Sequence, residues 1–278
     1  MSIDKSLTKK AFAEFFGMTM FVYIGTGAVV STGEQLASSA APTAASVARV
    51  LPIAFAFGMS IMVQAFAFGH VSGGHFNPAV SFFLYLIDKI KLDHFVSYVA
   101  AQIAGAFLGS LLLWGSVSTM SDDRNSVQEQ VIGNPPFNLG ANGLNSALSP
   151  GNGFLLEFIG TFLLCSAVMM TTQHPNNLSQ GAPHMAPLTI GFAVFLAHLV
   201  LVPLTGCGIN PARSLGPVLV NALASNNVLD DTSYIYYVAP FTAALAASVI
   251  LKYIFPPEEV ETLVVKDKMK AIAADSDF

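Results

Sequence analysis

The sequence predicts an all-α membrane protein: six transmembrane helices plus two re-entrant half-helices, arranged as an inverted internal repeat. Three observations carry this reading. Of the 278 residues, 53% are hydrophobic and only 10% charged, against roughly 25% charged in soluble domains, and mean hydropathy is +0.60. The apolar residues gather into six stretches of spanning length. Two shorter apolar stretches, each opening Asn-Pro-Ala, recur at matching places in the two halves.

A span needs about 20 largely uncharged residues, and residues 11–31, 50–69, 94–116, 153–172, 186–203 and 234–255 meet that test. An even number of spans puts both termini on one side. Lys5, Lys9, Lys10, Lys89, Lys91, Lys252, Lys266, Lys268 and Lys270 fall on that side, against only Arg49 and Arg124 opposite. Basic flanks face the cytoplasm, so cytoplasmic termini are expected. Arg213 belongs to neither group.

The chain then divides into a cytoplasmic N-terminus over 1–10, a membrane domain over 11–255 and a cytoplasmic tail over 256–278. Repeat one covers about 11–117 and repeat two about 153–255, joined by an extracellular loop over 118–152. Residues 32–49 form a second outer loop and 173–185 a cytoplasmic one. The acidic tail reads as solvated, and no basic run suggests nucleic acid. No enzyme activity, cofactor or metal is expected. Cys165 and Cys207 make no disulfide framework.

The two short stretches, 77–87 and 210–222, each follow a Gly-rich approach, Ser72-Gly73-Gly74-His75-Phe76 and Thr205-Gly206-Cys207-Gly208-Ile209. At 1.5 Å per residue each makes about half a crossing. Ala13-Glu14-Phe15-Phe16-Gly17 opens the first span as Leu156-Glu157-Phe158-Ile159-Gly160 opens the fourth. With three spans per half the second copy sits inverted, which brings paired half-helices to a common midplane site.

An Asn followed by Pro is, at its plainest, a helix start: Asn caps and Pro suits the first turn. Inside a membrane, however, non-helical backbone is tolerated only where protein covers it or it lines a watery cavity. Two helix N-termini meeting at the midplane each present about half a positive charge, which repels cations. The side-chain amides of Asn77 and Asn210 can donate hydrogen bonds to passing water. Arg213 lies one turn beyond Asn210, and a membrane-embedded arginine marks a functional site.

The stretches Ser72-Gly73-Gly74-His75-Phe76-Asn77-Pro78-Ala79-Val80 and Thr205-Gly206-Cys207-Gly208-Ile209-Asn210-Pro211-Ala212-Arg213-Ser214 closely resemble the two signatures of the aquaporin (major intrinsic protein) family. The likeness spans 11–255. It implies a passive water channel in the lipid bilayer, excluding protons and ions, driven by osmotic gradients and assembled as a homotetramer. By resemblance, Phe57 in the second span, His198 in the fifth, Cys207 in the approach loop and Arg213 form an aromatic/arginine filter. Glu14 and Glu157 hold the re-entrant loops. Phe with His in such a filter favours water over glycerol, since glycerol-conducting relatives have Trp with a small residue and an Asp after the arginine, where this chain has Ser214.

Gly105 and Gly109 are expected to let the third span pack closely. The sixth span keeps Pro240 but carries Ala and Thr where relatives often have Gly. The loop 173–185 could gate the cytoplasmic mouth through His174 or His184, or by phosphorylation at Ser179. The alternatives are a facilitator for glycerol or another small neutral solute, and a channel closed until signalled. An ion-coupled transporter would need titratable groups at the midplane, where only amides and glycines stand.

Overall fold

A computed structural model describes residues 5–32, 44–117, 135–173, 182–224 and 227–254. These residues form eight α-helices: α1 (Lys5–Thr32), α2 (Ala44–Ser72), α3 (Pro78–Leu86), α4 (Leu92–Val117), α5 (Pro150–Thr172), α6 (Ala182–Thr205), α7 (Pro211–Leu223) and α8 (Ile235–Tyr253). Five of them, α1, α2, α4, α5 and α6, are long and apolar enough to cross a membrane. α8 has 19 residues, a length of about 28 Å, close to the bilayer's hydrocarbon thickness of about 30 Å. Its apolar part, Ile235–Ile250, is shorter than the other five.

The helix neighbours map onto themselves when the halves are exchanged. α1 packs on α2 and α4 as α5 packs on α6 and α8; α4 meets α7 as α8 meets α3; α2 and α6 pack on each other. The approach of α4 to α1 depends on Gly105 and Gly109, where a Cβ would stand 2.3 Å from the Phe15 carbonyl oxygen and 2.5 Å from that of Thr19. In α8 the small residues are Ala239, Ala243, Ala244 and Ala247, all fully buried. The outward faces keep Phe12, Phe55, Phe66 and Ile159 more than half exposed, an apolar rim suited to lipid.

Several helices run beyond the expected spans. α1 begins at Lys5 and α2 at Ala44; no Pro or Gly interrupts the polar residues ahead of the first span, and the connection expected over 32–49 gives way to helix early. α6 begins at Ala182, so His184 lies in its first turn rather than in the expected loop, with an exposed side chain. His174 and Ser179 lie outside the described residues. The connection between α4 and α5 contains a left-handed turn, Phe137, Asn138 and Leu139 having φ of 50°, 47° and 51°.

Candidate functional site: the midplane amides and the outer constriction

Each half-helix begins as its sequence dictates. Asn77 is the N-cap of α3, its Oδ1 accepting from the Ala79 N–H at 2.9 Å. Asn210 caps α7, accepting from Ala212 and Arg213 at 3.1 and 3.2 Å. Pro78 and Pro211 take the first helical positions, and Ala79 and Ala212 behind them are fully buried. The residues just before, Phe76 and Ile209, are held at φ of 44° and 43°, a left-handed conformation that non-glycine residues adopt only when their surroundings impose it.

Those surroundings are two buried glutamates and a reciprocal clasp. Glu14 accepts from the His75 and Phe76 amides at 2.9 and 2.7 Å, from the Ser72 hydroxyl at 2.6 Å and from Gln102 Nε2 at 2.8 Å. Glu157 accepts from the Gly208 and Ile209 amides at 2.9 and 2.6 Å and from the Thr205 hydroxyl. Asn77 Nδ2 donates to the Ile209 carbonyl at 2.9 Å, and Asn210 Nδ2 donates to the Phe76 carbonyl at 2.8 Å. Each amide nitrogen carries two hydrogens, so each keeps a second one beyond the clasp; on Asn210 Nδ2 it meets only the weak acceptor Met18 Sδ at 4.0 Å.

On one side of this pair lies a cavity of about 330 Å³. Asn77, Asn210 and Phe21 stand at its inner end, and Thr172, Gln173 and Ala186 at the ends of α5 and α6. His75 borders it with its Nδ1 3.0 Å from the Ser81 hydroxyl. The walls are otherwise apolar, with Ile61, Leu164 and Val168 among them.

Phe57, His198 and Arg213 do not line this cavity and pack against one another. The Phe57 and His198 rings stack with centroids 4.2 Å apart, and the Arg213 guanidinium carbon sits 4.9 Å over the Phe57 ring. All three side chains are at most 1% exposed. His198 Nδ1 is 2.8 Å from the Val194 carbonyl oxygen; a carbonyl only accepts, so this nitrogen donates and Nε2 of the neutral ring is left as an acceptor. Arg213 Nη1 donates to the Gly140 carbonyl at 2.9 Å and to Asn142 Oδ1 at 3.3 Å. His198 Nε2 and Arg213 Nε have no protein partner among the described residues. An acceptor and a charged donor are thus left open in the buried constriction, and each is a group that a water molecule can satisfy.

Cys207 lies in the approach loop at φ 53°. It is fully buried in the same apolar cluster as Phe57, its N–H donating to the Thr205 hydroxyl at 3.2 Å. Four contributors escaped the sequence reading: Gln102, Gly140, Asn142 and Gly25, where a Cβ would stand 2.3 Å from the Phe57 ring. The repeat held one unused signal, since Ser72 and Thr205 stand five residues before the two asparagines and both bond the local glutamate.

A buried constriction in series with paired half-helix N-termini inside a helical membrane bundle defines a transmembrane channel. The chain belongs to the major intrinsic protein family: residues 2–251 match the family described as "Major intrinsic protein". It is 37% identical over 252 residues to "Aquaporin PIP2-5" of Zea mays, covering 90% of this chain and 83% of that protein. It is 38% identical over 246 residues to "Aquaporin PIP2-4" of Oryza sativa subsp. japonica, covering 87% and 80%. The X-ray structure of the aquaglyceroporin from Plasmodium falciparum superposes with a TM-score of 0.73 at 21% identity, covering 90% of this chain and 98% of that one, a likeness of fold. The protein is thus an integral multi-pass membrane channel and not an enzyme.

Proposed function

We propose that this chain is a passive water-selective channel, driven by osmotic gradients, assembled as a homotetramer with a pore in each subunit and with both termini in the cytoplasm. The observation that carries the selectivity is the buried set Phe57, His198 and Arg213, with one acceptor and one donor unpartnered. The bulk of Phe57 and His198 beside Arg213 narrows the passage against a carbon backbone, while water finds an acceptor and a donor there to replace the hydrogen bonds it gives up in bulk. Cys207 borders this filter in the proposal. The relatives' names as aquaporins support the permeant.

Proton and ion exclusion is assigned to the midplane. Two helix N-termini aimed at one point raise the cost of any cation there, and the second hydrogens of Asn77 and Asn210 keep a passing water oriented as an acceptor. For gating, the proposal is that the connector after α5 moves over the cavity mouth, under control of His174, Ser179 or His184. Its support is that Gln173 and Ala186, on either side of the connector, line that mouth.

The test is stopped-flow swelling of proteoliposomes under sucrose and glycerol gradients. Fast water flux with little glycerol entry is expected, and a mercurial block that disappears in Cys207→Ser. Rapid glycerol entry would overturn the filter assignment. Deleting residues 174–181 without any change in water permeability would sink the gate.

A further inference from the structure

The Arg213 guanidinium does not stand on its own helix alone: its acceptors come from the outer loop, 73 residues earlier in the chain for Gly140. What holds that loop therefore sets where the cation stands. The Gly140 carbonyl leaves a turn in which Phe137, Asn138, Leu139 and Gly140 all have φ between 47° and 66°. Three consecutive non-glycine residues in this region persist only if the surroundings impose it. The turn packs against α1, α4 and α7, and Leu139 is fully buried beside Val30, Leu113 and Val220. Apolar packing of this kind fixes depth but not the direction of a carbonyl.

Direction comes from Asn221. It lies on α7 roughly two turns beyond Arg213 and is fully buried. Its Nδ2 donates to the Asn138 carbonyl at 2.9 Å and to the Pro217 carbonyl of its own helix at 2.8 Å. The Asn138 carbonyl also accepts from the Ala141 N–H at 3.0 Å, which closes the turn. The same half-helix thus grips the turn twice, through Asn221 on the Asn138 carbonyl and through Arg213 on the Gly140 carbonyl, two residues apart.

We infer that Asn221 is a positioning residue of the selectivity filter: by fixing the left-handed turn it aims the Gly140 carbonyl at Arg213 and keeps the guanidinium over Phe57. The inference rests on the filter reading given above. Asn221 touches no permeating molecule, and its substitution acts only through Arg213.

The experiment compares glycerol-to-water permeability ratios in proteoliposomes for Asn221→Leu, which keeps the size and removes the donor, alone and combined with Arg213→Ala. The expected result is a ratio raised on the order of fivefold by Asn221→Leu, the factor matching one lost buried hydrogen bond, with no further increase when Arg213 is already alanine. An unchanged ratio, or an equal rise in the Arg213→Ala background, overturns the inference. If Arg213→Ala itself leaves the ratio at the wild-type value, the filter reading falls and the inference with it; if Arg213→Ala shifts the ratio and Asn221→Leu does not, only the inference falls. Should Asn221→Leu fail to fold, Gly140→Ala disturbs the same turn from its other side, since its Cβ would stand 3.2 Å from Thr26 and Val29 at a φ of 66°. It is expected to raise the ratio likewise, and an unchanged ratio there overturns the inference.

Discussion

Replacing Glu157 with Gln probes the anchor of the second half-helix with almost no change in shape. The carboxylate accepts from Thr205 and Gly208 through Oε1, and from Ile209 through Oε2. An amide can keep the first two with its oxygen, but its NH2 then faces the Ile209 N–H at 2.6 Å, donor against donor. A hydrogen bond to a charged group contributes about 1.5–3 kcal/mol, and a buried donor left unsatisfied costs about 1–3 kcal/mol. These overlap, so a loss of about 2–4 kcal/mol is expected. The damage falls on the pore, because the Ile209 carbonyl is the acceptor for Asn77. Thermal unfolding of the detergent-solubilised protein should shift down, and water permeability per channel should fall with it. Glu157→Gln with unchanged stability and unchanged water flux would refute the anchoring role, and unchanged stability with altered proton flux would make the residue a proton relay instead.

Three further outcomes are expected. Asn77→Asp removes the donor to Ile209 and sets a carboxylate where two helix N-termini meet; proton leakage, read with a pH-sensitive dye inside vesicles, should rise above wild type, and an equal leak contradicts the midplane barrier. Gly25→Ala forces the Phe57 ring to move, since the new Cβ would sit 2.3 Å from it; water permeability should drop severalfold, an overpacking effect of about 1–3 kcal/mol, and unchanged flux contradicts the tight seat. Asp230, in the turn ahead of α8, accepts from the Thr232 amide and hydroxyl and from the Ser233 hydroxyl. Partial burial alone would raise its pKa, but these bonds outweigh it and hold the carboxyl below its ordinary value. Its stabilisation is therefore present above a pH of about 4 and fades as pH falls further. Asp230→Asn should lower thermal stability slightly at pH 7 and by less at pH 3, and a pH-independent difference would contradict it.

The parts legible in the sequence are those with a local signature or a repeated one. Hydropathy located five helices long and apolar enough to span, and an Asn-Pro pair ahead of a short apolar stretch stated both the cap and the first helical turn. Glu14 and Glu157 stood out because each half carried one at the same offset. The turn that receives Arg213 has no such signature. Phe137, Asn138 and Leu139 carry no glycine to announce their left-handed backbone, and the contacts that impose it join residues 83 apart in the chain. Gly25 looked like one more small residue in an apolar span; that it seats Phe57 depends on how α1 crosses α2. Gln102, a polar residue in the third span, has meaning only once α4 brings it to Glu14 and Ser81. The early start of α6 at Ala182 was hidden by Pro183, which suits a first helical turn as well as a loop.

The claim that selectivity rests on the outer constriction rather than on the midplane amides is tested most directly by the glycerol-to-water permeability ratio of the Phe57→Ala/His198→Gly double variant. Opening the stacked pair leaves Asn77, Asn210 and both glutamate anchors untouched. The ratio should rise at least tenfold, about 1.4 kcal/mol of lost discrimination, with protons still excluded. A ratio equal to wild type would contradict the account.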